Sequence, residues 1–202
     1  MTADTQTSCP AQAIPTAANL SDEARQRLAA TRMLLLDVDG VLTDGTIYLS
    51  DSGDEMKRFS VRDGFALIWC RRFGLKTGVI SGKSSTATLR RCQDLEFDEI
   101  HLGNVQKLAV FESICRRHDL ASHEIAYMGD DLLDLPILSR VGFAACPADA
   151  HPEVRRRVHF VSGSPGGRGA VRELLDHWLQ TTNHWDECLS TIAKLGFESA
   201  HE

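Results

Sequence analysis

No stretch of this chain approaches the roughly 18 consecutive apolar residues that cross a bilayer. Met1 to Ala18 lacks the basic start and the apolar run of a secretory signal, so the expected address is the cytoplasm, without membrane contact. No C-x-x-C pair occurs among Cys9, Cys70, Cys92, Cys115, Cys146 and Cys188, and in a chain of 202 residues these six scattered thiols read as reduced and mostly buried. The eight histidines contain no H-x-H or H-x-x-x-H pairing, which removes the common zinc patterns and leaves His101 and His118, like Cys115, as packing or surface residues. No block of like charge stands out at a net charge of −6. The longest basic run, Arg155-Arg156-Arg157, reads as a solvated helix face rather than a nucleic-acid contact. Gly163 to Gly169 is glycine-rich but lacks the G-K-[ST] ending of a nucleotide loop, so ATP is not implied.

What is present is organised around Met33-Leu34-Leu35-Leu36-Asp37-Val38-Asp39-Gly40. Four apolar residues in a row read as a strand buried on both faces of a parallel sheet, ending in two carboxylates one residue apart. Side chains alternate along an extended backbone, so Asp37 and Asp39 face the same way. Ligands of open α/β sheets bind beyond the carboxyl ends of the strands, which is where this pair stands.

With 43% hydrophobic residues the chain is long enough for one sizeable core. Residues 1–20, rich in Thr, Ala, Pro and Gln, are expected to be a disordered tail, residues 21–182 the domain, and residues 183–202 a tail helix carrying Trp185, Leu189 and Ile192 on one side. A hairpin is expected from Thr46 to Ser60 around Ser50-Asp51-Ser52-Gly53-Asp54. A helix follows from Phe65 to Phe73, with Gly74 as its left-handed stop. Further strands are expected at Lys76–Ile80, Glu99–Leu102, Ile125–Met128, Gly142–Ala145 and His159–Val161. Helices at about Ser85–Asp94, Val105–His118, Leu133–Ser139, Pro152–Arg156 and Ala170–Leu179 alternate with them. The class is α/β, a Rossmann-like doubly wound parallel sheet with a hairpin flap.

Four strand ends then carry polar chemistry: Asp37 and Asp39, Ser81, Asp130 and Asp131, and Lys107 just beyond the Glu99–Leu102 strand. Clustered carboxylates raise one another's pKa unless a cation sits among them, and hard oxygen donors of this kind suit Mg²⁺. Lys107 and the Ser81 hydroxyl supply a charge and a donor for an anion beside it. A carboxylate nucleophile, a divalent ion, a lysine and a hydroxyl make a phosphoryl-transfer site.

D-x-D-G-V-L-T-D-G, I-S-G, a lysine and G-D-D-x-x-D, in that order, resemble the four motifs of the haloacid dehalogenase superfamily of phosphatases. Within it, Val61-Arg62-Asp63-Gly64, Ala148-Asp149-Ala150-His151-Pro152 and Gly166 to Glu173 resemble the 3-deoxy-D-manno-octulosonate 8-phosphate phosphatases, over about Met33 to Leu179. The resemblance implies a homotetramer assembled by hairpin 46–60 and hydrolysis through an aspartyl-phosphate on Asp37. Asp39 would serve as general acid and then base, and Ser81 and Lys107 would hold the phosphoryl oxygens. Mg²⁺ would bind the Asp37 carboxylate, the Asp39 main-chain carbonyl and Asp130. Asp131 would hold a metal-bound water, and Asp134 would either orient Lys107 or cap the next helix. Arg62, Lys83 and Arg168 are the cationic candidates for a sugar-acid carboxylate, and Lys83 stands where the family usually has arginine.

The gaps Asp39–Ser81 and Lys107–Asp130 are too short for a cap domain, so a capless site is expected, one that either acts on exposed macromolecular phosphate or borrows a lid. The resemblance implies the latter, with neighbouring subunits covering each site. Two other phosphate-related readings compete: a nine-carbon ulosonate 9-phosphate as substrate, and a non-catalytic oligomerisation module, against which the intact Asp37, Asp39 and Lys107 stand. A receiver domain is excluded by order, since receivers place the acidic pair first and the phosphorylated Asp later.

Overall fold

The computed structural model describes residues 20–198. The expected disordered tail therefore lies, but for Leu20, outside the described residues. The six-stranded parallel sheet has the order β5-β4-β1-β6-β7-β8, with β1 Met33–Leu36, β4 Lys76–Ile80, β5 Glu99–His101, β6 Ile125–Met128, β7 Phe143–Cys146 and β8 Phe160–Val161. The central strand β1 is buried at every residue and pairs with β4 on one side and β6 on the other, Leu36 lying beside both Val79 and Met128. Its side chains alternate between two cores. Leu34 and Leu36 join Leu67, Val171, Leu174 and Trp178 under α1 Asp22–Ala29, α2 Val61–Arg72, α3 Thr86–Asp94 and α7 Ala170–Thr181. Met33 and Leu35 join Phe111, Ile114, Ile137 and Val154 under α4 Lys107–His118, α5 Leu135–Leu138 and α6 Pro152–Arg155. The expected doubly wound α/β architecture is the one observed.

Between β1 and α2 the chain makes the hairpin of β2 Tyr48–Leu49 and β3 Glu55–Met56, with Tyr48 opposite Met56. Helix α2 begins four residues earlier than expected, at Val61. Ser60 Oγ accepts the Asp63 main-chain N–H at 3.3 Å, so the Asp63-Gly64 pair sits in the first turn of the helix instead of breaking the chain before it. Gly74 ends the helix at φ +86°, as expected. The expected helix Leu133–Ser139 is a single 3₁₀ turn, Leu132–Asp134, running into the four-residue α5. The last helix, α8 Trp185–Glu198, packs Trp185 and Ile192 on the core, but Leu189 is exposed and Cys188 is the buried neighbour. Cys70, Cys92, Cys115, Cys146 and Cys188 are all free thiols.

Candidate active site

Parallel strands deliver their carboxyl ends to one edge, so the ends of β1, β4 and β6 and the start of α4 meet there. Asp37 continues the β1–β6 ladder by one bond, its N–H donating to Met128 O at 2.9 Å, and its side chain is buried. Lys107, first residue of α4 and buried, places Nζ 2.9 Å from Asp37 Oδ1 and 2.7 Å from Asp134 Oδ1. Burial opposes the charge on Lys107, but Asp37 and Asp134 overcome it and hold the ammonium above the usual lysine range.

Asp134 is fully buried and both its oxygens are engaged. Oδ1 accepts from Lys107 and, at 2.6 Å, from the Tyr127 hydroxyl, while Oδ2 accepts the main-chain N–H groups of Asp130 and Asp131 at 3.0 and 3.2 Å. It thus both orients the lysine and closes the turn after β6. Burial, then the charges of Asp134 and Asp37, keep the Tyr127 phenol far above its ordinary value, which makes it a fixed O–H donor. Asp131 is exposed and caps the same turn by accepting from Leu132 N–H at 2.7 Å.

Asp37, Asp130 and Asp134 each present an oxygen within 4.8 Å of the other two. Burial and the neighbouring Asp134 push the Asp37 carboxyl up to about 6 despite Lys107. Burial with the charges of Asp37 and Asp134 pushes Asp130 up to about 8. Unlike Asp134, Asp130 has a buried oxygen, Oδ1, with no hydrogen-bond partner. A buried, unpaired carboxylate oxygen facing a second carboxylate costs free energy unless a cation completes it. Two such acids are a donor set that fits Mg²⁺.

Two glycines let the backbone close around these acids. Gly40 has φ +90°, and a Cβ there would lie 2.1 Å from Asp130 Oδ2, so the D-x-D-G glycine makes room for the other carboxylate. Gly166 presses on the same turn, where a Cβ would lie 1.8 Å from Gly40 O. The neighbouring bond from Gly167 N–H to Val41 O, 2.9 Å, fastens the glycine-rich loop there, and Asp149 Oδ1 accepts the Gly166 N–H at 3.0 Å.

Ser81, just past β4 at the same sheet edge, is buried with its hydroxyl in a local turn, 3.3 Å from Lys83 O and 3.2 Å from Lys83 N. Arg62 and Arg168 come together across a cavity of about 360 Å³, joined by Arg58, Phe59, Ser60 and Val61. Lys83 is elsewhere, ion-paired to Glu55 of the hairpin. Asp39 is held by a residue that sequence reasoning missed: Lys57 Nζ lies 2.6 Å from Asp39 Oδ1. Tyr127 and Arg58 were missed as well. A tyrosine inside the otherwise apolar Ile-Ala-Tyr-Met strand is a signal for a buried partner, since its hydroxyl must be satisfied. The Lys57 signal was the strand alternation of the hairpin, which needs the exposed side to be known first.

A model of haloacid dehalogenase-like hydrolases matches residues 92–174. The 3-deoxy-D-manno-octulosonate 8-phosphate phosphatase of Escherichia coli is 38% identical over 156 residues, 77% of this chain and 83% of that protein. Among solved structures, the 3-deoxy-D-manno-octulosonate 8-phosphate phosphatase of Moraxella catarrhalis, in complex with magnesium, phosphate and a KDO molecule, superposes with a TM-score of 0.83 at 30% identity, over 85% of this chain and 98% of that one. The cobalt-bound deoxy-D-mannose-octulosonate 8-phosphate phosphatase of Haemophilus influenzae gives 0.77 at 33% identity, over 79% and 94%.

Proposed function

We propose, for a chain that belongs to the 3-deoxy-D-manno-octulosonate 8-phosphate phosphatases and is thus a phosphoric monoester hydrolase of the haloacid dehalogenase type, that its own substrate is the eight-carbon sugar-acid phosphate. The phosphoryl-transfer part of this reading is carried by the Lys107–Asp37 contact at 2.9 Å beside the orphaned oxygen of Asp130, and the eight-carbon substrate is supported by the 38% identity to the Escherichia coli phosphatase. Asp37, fixed by Lys107, attacks phosphorus. The Asp37–phosphorus bond forms as the bond to the sugar oxygen breaks, and Asp39 gives that oxygen its proton. Asp39 then takes a proton from the water that opens the aspartyl-phosphate, and general acid–base help of this kind is worth about 10²–10⁴-fold. Lys107 and Ser81 hold phosphoryl oxygens. Mg²⁺, supported by the magnesium of the Moraxella structure, would be held by Asp37, the Asp39 carbonyl and Asp130, and would neutralise charge developing on the phosphoryl group. Asp131, exposed on the same turn, would help to hold water beside that ion.

The cavity shared by Arg62 and Arg168 supports them as the carboxylate forks, whereas Lys83 is already paired with Glu55. Exposed Ile47, Tyr48, Leu49 and Met56 on the hairpin support a homotetramer built through residues 46–60. This reading sets the enzyme in the cytoplasm, supplying the sugar acid of lipopolysaccharide. The division into a tail at 1–20, a catalytic domain at 21–182 and a tail helix at 183–202 belongs to the same proposal.

The test is phosphate release with Mg²⁺ from the eight- and nine-carbon ulosonate phosphates, arabinose 5-phosphate and phosphoglycolate. A kcat/KM at least tenfold higher for the eight-carbon acid is expected. Preference for the nine-carbon acid would overturn the assignment and point to the Lys83–Glu55 pair as the cause.

Metal removal gives a second expected outcome. In chelator-treated protein the Asp130 carboxyl, up at about 8, sits above its ordinary value of 3.8. The folded state therefore binds more protons than the unfolded chain between those values, and stability falls as pH rises from about 4 to about 8. Mg²⁺ at a hundredfold its Kd should contribute about 2.7 kcal/mol, raising Tm by roughly 5–10 °C at pH 8. Asp130→Asn should abolish that shift while raising the Tm of the metal-free protein at pH 8. A full Mg²⁺ shift in the variant would remove Asp130 from the metal site.

A further inference from the structure

Each of the two acids that close β1 has a lysine of its own. That of Asp37 comes from α4, at the heart of the site. That of Asp39 is Lys57, on the hairpin. The hairpin is otherwise an exposed element: Tyr48, Leu49 and Met56 present 44%, 70% and 61% of their surface. Against that background the Lys57 side chain is only 1% exposed. Strand alternation explains the contrast, because Met56 faces outward and so turns Glu55 and Lys57 inward. Burying a lysine stem forfeits up to about 2 kcal/mol of rotamer freedom, and its ammonium loses water besides. The contact recovering this is the one to Asp39 Oδ1 at 2.6 Å, since Glu55 Oε1 stands off at 3.6 Å and Glu55 Oε2 belongs to Lys83.

We propose that Lys57 is a positioning residue for the proton-transfer step, holding Asp39 by Oδ1 so that its second oxygen stays on the leaving-group side. The proposal rests on the reading of Asp39 as proton donor. A carboxylate free to rotate about its Cβ–Cγ bond spends part of its time turned away from the sugar oxygen, and one fixed oxygen removes that freedom. Lys57 exchanges no proton with substrate. It makes the hairpin a working part of the site as well as a surface.

The leaving group separates this role from a mere strut. A sugar oxygen must be protonated as it departs, whereas p-nitrophenolate leaves without help. kcat/KM reports the steps up to leaving-group release, so an aryl phosphate bypasses Asp39 and a sugar phosphate does not. Lys57→Met should lower kcat/KM about 10- to 100-fold for the eight-carbon sugar-acid phosphate and less than about threefold for p-nitrophenyl phosphate, with Lys57→Arg restoring most of the loss. Asp39→Asn, assayed alongside, should show the same selective loss, larger. Equal losses on both substrates, or none on either, while Asp39→Asn remains selective, would overturn the Lys57 role and leave the Asp39 reading standing. An unselective Asp39→Asn would overturn both. If Lys57→Met fails to fold, Lys57→Gln, which removes the ammonium, decides: a selective loss supports the role, and an unselective loss or none overturns it.

Discussion

Asp37→Asn should reduce phosphate release by about 10⁴-fold or more, as removal of a nucleophile does where it cannot be replaced by water in the same geometry. The substitution is nearly isosteric. The amide keeps an oxygen for Lys107, so the 2.9 Å contact has a successor, but an amide does not form the acyl-phosphate bond. The fold should not suffer. Burial and Asp134 already push the Asp37 carboxyl up to about 6, which means that its charge at neutral pH is carried at a cost. A neutral amide removes that cost, so the metal-free variant should melt no lower than the wild type at pH 8. Inactivity with an intact or raised Tm separates lost chemistry from lost structure. Activity within tenfold of wild type would remove Asp37 as the nucleophile.

Asp134→Ala should be the most destabilising single change in the site, by about 3 kcal/mol, a Tm lower by roughly 6–12 °C. Two effects oppose each other. Removing a negative charge relieves Asp37 and Asp130, whose carboxyls it helps push up. Burial stands ahead of Asp134 among the causes in both cases, so the relief is the smaller part. Against it, the substitution strips partners from the Tyr127 hydroxyl and the main-chain N–H groups of Asp130 and Asp131, and leaves Lys107 with Asp37 alone. Each buried donor left unpaired costs about 1–3 kcal/mol. Asp134→Asn retains one acceptor and should lose less. Thermal unfolding of the metal-free proteins checks the order, and a drop under about 2 °C for the alanine variant would mean that water repairs the turn.

The meeting of the candidate residues was legible in the sequence because a parallel sheet gathers the few positions after each strand at one edge. Asp37, Ser81 and Asp130 follow runs whose apolar character marks them as strands, so their meeting follows from topology alone. Lys107 belongs to the same logic as the first residue of α4. Side-chain pairing across long separations was not legible. Lys57 reaches Asp39 and Lys83 reaches Glu55 because a short hairpin folds back over the sheet edge, and strands of two residues carry too little pattern to declare their inner face. The start of α2 was misjudged for another reason: Asp-Gly is a strong turn signal, and the Ser60 cap that overrides it is weak until its bond to Asp63 is seen. In α8 the buried stripe is one residue out of step, because Cys188, small and apolar, takes the place that Leu189 was expected to fill.

The seating of Gly166 and Gly167 on the turn after Asp39 bears on when the protein becomes an enzyme. Ribosomes release the amino-terminal strand first, and domains begin to organise as they emerge. Both acids of β1 are therefore made early, while the loop that braces their turn, and the Asp63 carboxylate contacts to Gly169 and Arg172 that anchor α7 beside it, wait for a segment synthesised far later. A nascent chain interrupted anywhere before that loop carries the reactive carboxylates on an unbraced turn. A product that ends between Asp134 and that loop holds Asp37, Asp39, Ser81, Lys107 and Asp130 without the brace on their turn.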